Sequence, residues 1–461
     1  MSSAFEGSPK RRREDDTVSP LLIRSRSAAL FSGNFCNVTS LSDESEQIVK
    51  TPTFQRLRRV AQLGSAQFVF PSATHMRFEH SLGVAELAQK MVLNLNMKQV
   101  VANHAVSKED LVTEADKKMV EIAGLCHDLG HGPFSHLYER TMKTNGIKFC
   151  HEVQSVKLFE KIVSELREKG DFNVSDEEVK EIGELITHSV NDVKEEKTER
   201  LWLKQIVSNC SNGIDVDRLD YLRRDAYHLH RPLRFTVDKI VEGGVIHDGQ
   251  ICFSSQCRSD IEDLFTQRYL MYKDVYTNKN ITAVELLICD ILIEAYPYVP
   301  ILKSGPDDLD SFIQLDDSIL NIIRSSKLVG LNKAKELVGK LDRAEFYPLV
   351  DSLGQTAENK ALLSELSPKT IVDYGKNLKE EDIIVDDLRI TVAPKDNWEK
   401  INFVKENGEI ITHKPSILYP KESETFCRRV YTRSPEKIDE VRYAVKRFVT
   451  ERQLSGSALF E

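Results

Sequence analysis

The chain has 461 residues, 41% of them apolar and 29% charged, with a net charge of −9. This length supports a large core in more than one lobe, and the composition is that of a globular protein. The acidic balance supplies no general field for nucleic acid, so an anionic ligand needs a local basic pocket. No apolar run reaches the roughly 20 residues of a membrane-spanning helix. The chain opens without an apolar signal core, which argues against secretion. Its 8 cysteines form no CxxC pair and fit reduced thiols in the cytosol or nucleus better than a disulfide framework.

Residues 1–45 read as a polar, disordered tail. Within it, Pro9-Lys10-Arg11-Arg12-Arg13 has the composition of a nuclear-import signal; a solvated basic tail is the equal alternative. The localisation expected is therefore nuclear or cytoplasmic. Thr51 and Pro52 suit an N-cap and a first helical position. Gln62-Leu63-Gly64 precedes a short aromatic and β-branched run, Phe68-Val69-Phe70. His80 is expected to begin a helix with an apolar face of Leu82, Val84, Leu87 and Met91.

Thr113 to Asp116 has the form of a capping box. The helix it starts runs into IAGLCHDLGHGPFSH, Ile122 to His136. Gly130, Gly132 and Pro133 end the helix there. His127 and Asp128 are thus expected at its C-terminus, with His131 and His136 on the turn beyond. An isolated His-Asp pair reads as a hydrogen-bonded core histidine and a capping carboxylate. Four such groups within ten residues, spaced by glycines, point instead to a metal. Cys150-His151-Glu152 opens another helix, and the charged stretches 165–180 and 191–200 read as surface. Asn212-Gly213 marks a turn before a helix with an acidic first turn. A β-like patch lies near 245–255. Helical patterns then run from about Asp260 to Tyr296, with Arg268, Tyr272 and Tyr276 at fourfold spacing on one face. After a loop at 304–308, two more helical patterns lead to about residue 352. The strand-like runs Ile383–Val385, Ile401–Val404 and Ile410–Thr412 follow, then an amphipathic helix over about 435–452. The fold expected is mainly α with a smaller α+β C-terminal lobe.

His80, then His127-Asp128, then Asp217 resembles the H…HD…D pattern of the HD-domain metal phosphohydrolases. The phrases TPTFQRLR, QLG, RFEHSLGV, AGLCHDLGHGPFSH and NGIDVDRLDY resemble the deoxynucleoside triphosphate triphosphohydrolases of the SAM-and-HD-domain type. EDIIVDD and RRVYTRSPEK resemble that family's C-terminal lobe. The resemblance runs from about residue 48 to 452. It leaves no room ahead for a folded SAM domain, so the catalytic part alone is expected. It implies an HD catalytic domain over 46–300 and a helical extension with an α+β lobe over 301–461. It implies metal-dependent hydrolysis of deoxynucleoside triphosphates to deoxynucleoside and triphosphate. The alternatives are an HD phosphohydrolase of nucleoside monophosphates or cyclic nucleotides, and a nucleotide-sensing or nucleic-acid-binding module with little turnover.

By the same resemblance, His80, His127, Asp128 and Asp217 hold one divalent or ferric ion. The thiolate-free donor set suits Fe, Mn, Zn or Ni, with Mg accompanying the phosphates. His136 and Glu139 are the implied acid/base pair, and His151 and His131 line the same phosphates. Arg77, Arg218 and Arg268 match phosphate-binding positions. Gln62, Tyr221 and Asp225 match sugar contacts, while Leu63 and Tyr276 close against the 2′ carbon and exclude ribose. Three positions depart from common relatives: Glu139 stands for an Asp in some, Arg218 for a Lys, and Tyr272 for a His. A guanidinium fork and a point charge contact phosphate differently. His75, Arg223, Arg224 and Lys279 read as solvated, and Cys126 as core. Homo-oligomers, dimers or tetramers, are implied, with an activator nucleotide held in part by Gln55 and Arg58. Lys50 stands where relatives carry a guanine-reading Asp. An ammonium offers no acceptor to the guanine edge, so loss of GTP activation is expected, unless Asp43 or Glu44 takes over.

Overall fold

The computed structural model describes residues 41–102, 111–170, 172–188, 200–356, 359–391, 398–413 and 424–452. The expected import signal at 9–13 and most of the charged stretch 191–200 lie outside these residues. The centre is a pair of packed helices, Arg77–Ala102 and Glu114–Cys126. The capping box forms as expected: the Thr113 side chain accepts from the Asp116 N–H, and Asp116 accepts from the Thr113 N–H. Leu82, Val84, Leu87 and Met91 meet Ile122, Ala123 and Leu125 in a core where none is more than 2% exposed. Each such side chain contributes roughly 1.5–3 kcal/mol of burial. The first helix starts at Arg77, not His80. His80 therefore sits in its first turn, with a fixed backbone.

Around this pair pack the helices His136–Thr144, His151–Lys169, Asp176–Thr187, Leu201–Val207 and Val216–His228. Thr51 caps the helix Pro52–Gln55. Phe68 ends the 3-10 helix Gly64–Phe68. Cys126 is core, as expected, and burial raises its thiol well above the ordinary value. The helix Arg258–Met271 passes through a π-turn, Tyr272–Tyr276, into Lys279–Ala295. Arg268, Tyr272 and Tyr276 follow one another along one face through that turn, as expected, with the Tyr272 and Tyr276 rings 5.1 Å apart.

Strands β1 (Gly244–His247), β2 (Gln250–Ser254), β3 (Leu349–Gln355), β4 (Ile383–Thr391), β5 (Asn402–Val404), β6 (Ile410–Thr412) and β7 (Glu424–Thr432) form two sheets. The first has the order β1-β2-β5-β6 and the second β3-β7-β4. β5 runs parallel to β2, with Phe253 opposite Phe403, so a late segment is stitched onto a strand from the middle of the chain. The second sheet carries its own small core, Val350, Leu353, Ile371, Val430 and Phe448 among others. The closing helix Ile438–Glu451 covers it with Val441, Ala444, Val445 and Phe448. No helix among the described residues is long and apolar enough to cross a membrane.

Candidate active site

A cavity of about 590 Å³ opens where the HD helices meet the π-turn. Its walls hold His80, His127, Asp128 and Asp217 at one end, with His131, His136 and His151 beside them. Gln62, Leu63, Tyr221, Asp225, Tyr272 and Tyr276 form another part of the wall, and Arg77 and Arg218 line the same cavity. Glu139 and Arg268 are not in the wall. Glu139 stands behind His151, and the Arg268 guanidinium lies 4.8 Å above the Tyr272 ring. Gln55 and Arg58 are a separate pair: Arg58 Nε donates to Gln55 Oε1 at 2.9 Å, and its guanidinium stacks 3.5 Å over Phe78. Lys50 is exposed and pairs with Glu46.

His127 is the C-cap of its helix, as expected, and its Nδ1 lies 2.8 Å from the Gly124 carbonyl. His80 Nδ1 lies 2.9 Å from the Asp220 carboxylate. Both rings therefore turn Nε2 toward Asp128 and Asp217. His80 Nε2 is 3.0 Å from Asp217 Oδ1 and 3.5 Å from Asp128 Oδ2. His127 Nε2 is 3.4 Å from an oxygen of each carboxylate, buried, and without a hydrogen bond. Neighbouring ligands about 2.1 Å from an ion stand roughly 3 Å apart. An imidazole backed through its other nitrogen by a carboxylate or carbonyl is the usual support for a metal ligand. These residues thus fit a metal ion. Burial alone would lower the His80 imidazole, yet hydrogen bonds to Asp217 and Asp220 raise it to about 10. So many carboxylates in a dry site require a cation, either a proton or a metal.

Burial would raise Asp128, but Arg77 and the neighbouring histidines hold it well below the usual carboxylate range. Arg77 Nη1 donates to Asp128 Oδ2 at 2.5 Å, and its Nε donates to the Ser135 hydroxyl at 2.8 Å. Burial and the Arg77 charge hold the His131 imidazole well below its ordinary value. Its ring stacks on His151 at 3.9 Å. Two parallel imidazoles cannot both aim in-plane lone pairs at one ion, so this second histidine group suits phosphate better than metal. Glu139 is bound most closely to His151, at 2.5 Å to Nδ1 and 2.9 Å to the backbone N–H, and stands 3.7 Å from His136 Nδ1. The His136 side chain is 71% exposed at the mouth.

Two local features give this shape. A Cβ on Gly130 would lie 2.0 Å from the His151 carbonyl, so only glycine lets the His151 helix approach the HD turn. Phe134 and Ser135, directly before His136, have φ of 59° and 61°. Such left-handed backbone costs on the order of 1–3 kcal/mol per residue.

At the sugar end the Tyr276 hydroxyl donates to Asp225 Oδ2 at 2.7 Å, and His75 Nε2 lies 2.7 Å from Asp225 Oδ1. The Gln62 side-chain oxygen is buried and unpartnered, facing a ligand-sized space. His75 and Arg224 are not solvated, contrary to expectation: both are at most 3% exposed. His75 orients Asp225, and Arg224 makes a two-point pair with Asp220 at 2.8 and 2.9 Å. Arg223 is half-buried beside the same carboxylate, and Lys279 is exposed. Asp220 itself was missed in the sequence, although it lies one helical turn beyond Asp217 and so on the same face. Glu285 was also missed; it lines the cavity, and burial raises it to about 7.

A helical bundle with two imidazoles and two carboxylates around a helix C-terminus defines an HD-domain hydrolase with a metal-binding site. The HD domain family model matches residues 77–225. The chain is 33% identical over 421 residues to the deoxynucleoside triphosphate triphosphohydrolase SAMHD1 homolog of Dictyostelium discoideum, covering 89% of this chain and 79% of that one. It is 33% identical over 348 residues to the SAMHD1 enzyme of Gallus gallus, covering 68% of this chain and 54% of that one. It is 28% identical over 447 residues to the HD domain-containing protein L394 of Acanthamoeba polyphaga mimivirus, covering 91% and 95%. The chain belongs to the SAMHD1-type family of deoxynucleoside triphosphate triphosphohydrolases.

Proposed function

We propose that the protein hydrolyses deoxynucleoside triphosphates to deoxynucleoside and inorganic triphosphate, limiting the precursor pool for DNA. One observation carries the reading: a single cavity is lined by the His80–His127–Asp128–Asp217 group, by Leu63 and Tyr276, and by the cations Arg77 and Arg218. The cations on its wall, Arg77 and Arg218, favour a nucleotide with several phosphates over a monophosphate or cyclic nucleotide.

When bound, the metal supplies Lewis-acid stabilisation of charge on the α-phosphate; Fe, Mn, Zn or Ni fits the donor set, and Mg accompanies the phosphates. Arg77 and Arg218 bind phosphate oxygens, with Arg268 behind them. His131 and His151 line the same phosphates. Glu139 fixes the His151 tautomer, and exposed His136 delivers a proton to the departing 5′ oxygen. Gln62, Tyr221 and Asp225 orient the sugar. Tyr276, held by Asp225, fills the space of a 2′-hydroxyl, and an unpartnered polar group there costs about 1–3 kcal/mol.

The test is incubation of the purified protein with dGTP, GTP and dGMP plus each metal, with separation of nucleoside, monophosphate and triphosphate. Release of deoxynucleoside and triphosphate from dGTP alone is expected; monophosphate release or no turnover overturns the reading. Gln55 and Arg58 are proposed to bind an activator nucleotide that assembles a homo-oligomer. With Lys50 beside them, added GTP is expected not to stimulate dATP hydrolysis, and sedimentation should show no GTP-driven tetramer. The basic run at 9–13 is proposed to direct the chain to the nucleus.

A further inference from the structure

The strained turn at Phe134 and Ser135 is held from three sides. Phe134 N donates to Asp317 Oδ1 at 2.7 Å, Ser135 Oγ donates to the Ala61 carbonyl at 2.6 Å, and Arg77 reaches the same hydroxyl. The second oxygen of Asp317 accepts from Ala61 N at 2.9 Å. One carboxylate thus bridges the residue before Gln62-Leu63 to the turn before His136. It comes from a segment 256 residues beyond Ala61. Asp317 is itself fixed by its own N–H, which donates to the Arg59 carbonyl at 3.1 Å, while the neighbouring Asp316 carboxylate pairs instead with the half-exposed Arg59 side chain at 2.5 Å. Nearby, buried Arg56 donates to the carbonyls of Leu129, His131 and Leu315, tying the same extension to the HD turn.

We infer that Asp317 is a positioning residue, setting the register of the His136 helix against the sugar-contacting wall through its two backbone hydrogen bonds. The inference rests on the roles proposed above for His136 and Leu63. Its logic is that of acceptor count. An ionised carboxylate accepts from both N–H groups, whereas an amide presents an NH2 to one of them, donor against donor; burial pushes Asp317 up to about 7, so the comparison is made above that pH. Releasing either N–H lets the turn relax toward ordinary backbone and shifts His136 relative to the substrate. A displacement of this kind acts on the reacting geometry more than on binding.

The experiment compares Asp317→Asn, Asp317→Glu and the control Asp316→Asn in the full chain. Backbone amide exchange, metal content and steady-state kinetics are read for each. In Asp317→Asn, faster exchange at both Ala61 and Phe134 is expected, with metal content unchanged. The value of kcat should fall tenfold or more while KM changes less than twofold. Asp317→Glu, which keeps two acceptors, should recover part of both. Asp316→Asn should leave exchange at the two amides and kcat near the wild-type values. Unchanged exchange in Asp317→Asn, or an equal loss of kcat in Asp316→Asn, overturns the inference. If Asp317→Asn does not fold, Asp317→Glu decides it: normal exchange at both amides supports the bridge, and fast exchange with normal kcat overturns it. If the wild type turns over no deoxynucleotide, the functional reading fails, while the exchange data still judge the bridge.

Discussion

At the metal end of the cavity, every ligand sits in or directly after a helix of the buried bundle, and each imidazole has a partner behind it. Asp220 backs His80 and the Gly124 carbonyl backs His127; Arg224 in turn holds Asp220. At the sugar end, Tyr272 and Tyr276 lie on a π-turn whose exit is held from outside the bundle. Arg429 of β7 donates to the Thr277 carbonyl at 2.6 Å, and the Tyr431 hydroxyl donates to the Lys279 carbonyl at 3.0 Å. Arg433 and Tyr347 clamp Asp290 on the same helix. The metal-suited group is thus braced by its own core, while the π-turn is held by a sheet contributed about 150 residues later. Changes in the C-terminal lobe should alter substrate choice without touching the metal.

The largest expected effect breaks the metal end outright. Asp128→Ala removes a ligand and leaves the Arg77 guanidinium buried without its carboxylate partner. Metal analysis should find the ion lost and turnover should fall at least a hundredfold; normal metal content with full activity would refute the ligand assignment. Next comes the backing residue. Asp220→Asn leaves all four ligands in place, so metal affinity should weaken by roughly 10–100-fold, as for other outer-shell partners, with deoxynucleotide selectivity unchanged. Metal titration of the apo protein measures this.

A smaller effect separates the two ends. Arg429→Ala deletes one charged hydrogen bond to a backbone carbonyl, a contact worth about 1.5–3 kcal/mol. Turnover of GTP relative to dGTP should rise several-fold, with metal content at the wild-type level. A loss of metal with no change in sugar choice would contradict the division drawn here. The smallest effect concerns Glu285 on the cavity wall. Burial outweighs Arg140 and raises this carboxyl to about 7, above its unfolded value. The folded state then binds the extra proton between about pH 4.5 and 7, so stability from this group declines as pH rises through that window. Glu285→Gln should flatten that part of the melting-temperature profile; an unchanged slope would mean that Glu285 is ionised throughout.

Much of the site was legible locally. The glycines and proline after Cys126 end a helix by backbone chemistry, so the position of His127 and Asp128 follows from that stretch alone. The Thr113–Asp116 capping box and the Asn212-Gly213 turn, where Gly213 has φ of 74°, are equally local. The roles of His75 and Arg224 were not legible. Both look like solvated groups in sequence, because the carboxylates that bury them are supplied by the fold. The short strands at 402–404 and 410–412 were visible as strands, yet nothing local said that they join β2 rather than the C-terminal sheet.

By itself the sequence determined several helix boundaries, such as those at Thr113 and Cys126, and the presence of a metal-suited His and Asp set, because these rest on short-range sterics and hydrogen bonding; the stretch running to about residue 352, expected to be helical, instead ends in β3. Tertiary structure alone decided that Glu139 binds His151 more closely than His136, that Asp220 stands behind His80, and that Asp317 bridges two turns. It also decided that β7 holds the exit from the π-turn. These contacts join residues 140 to 256 positions apart, or depend on which way a helix rotates in the core. Their energy is gained only when the chain has closed and water has left, and no local pattern carries that information.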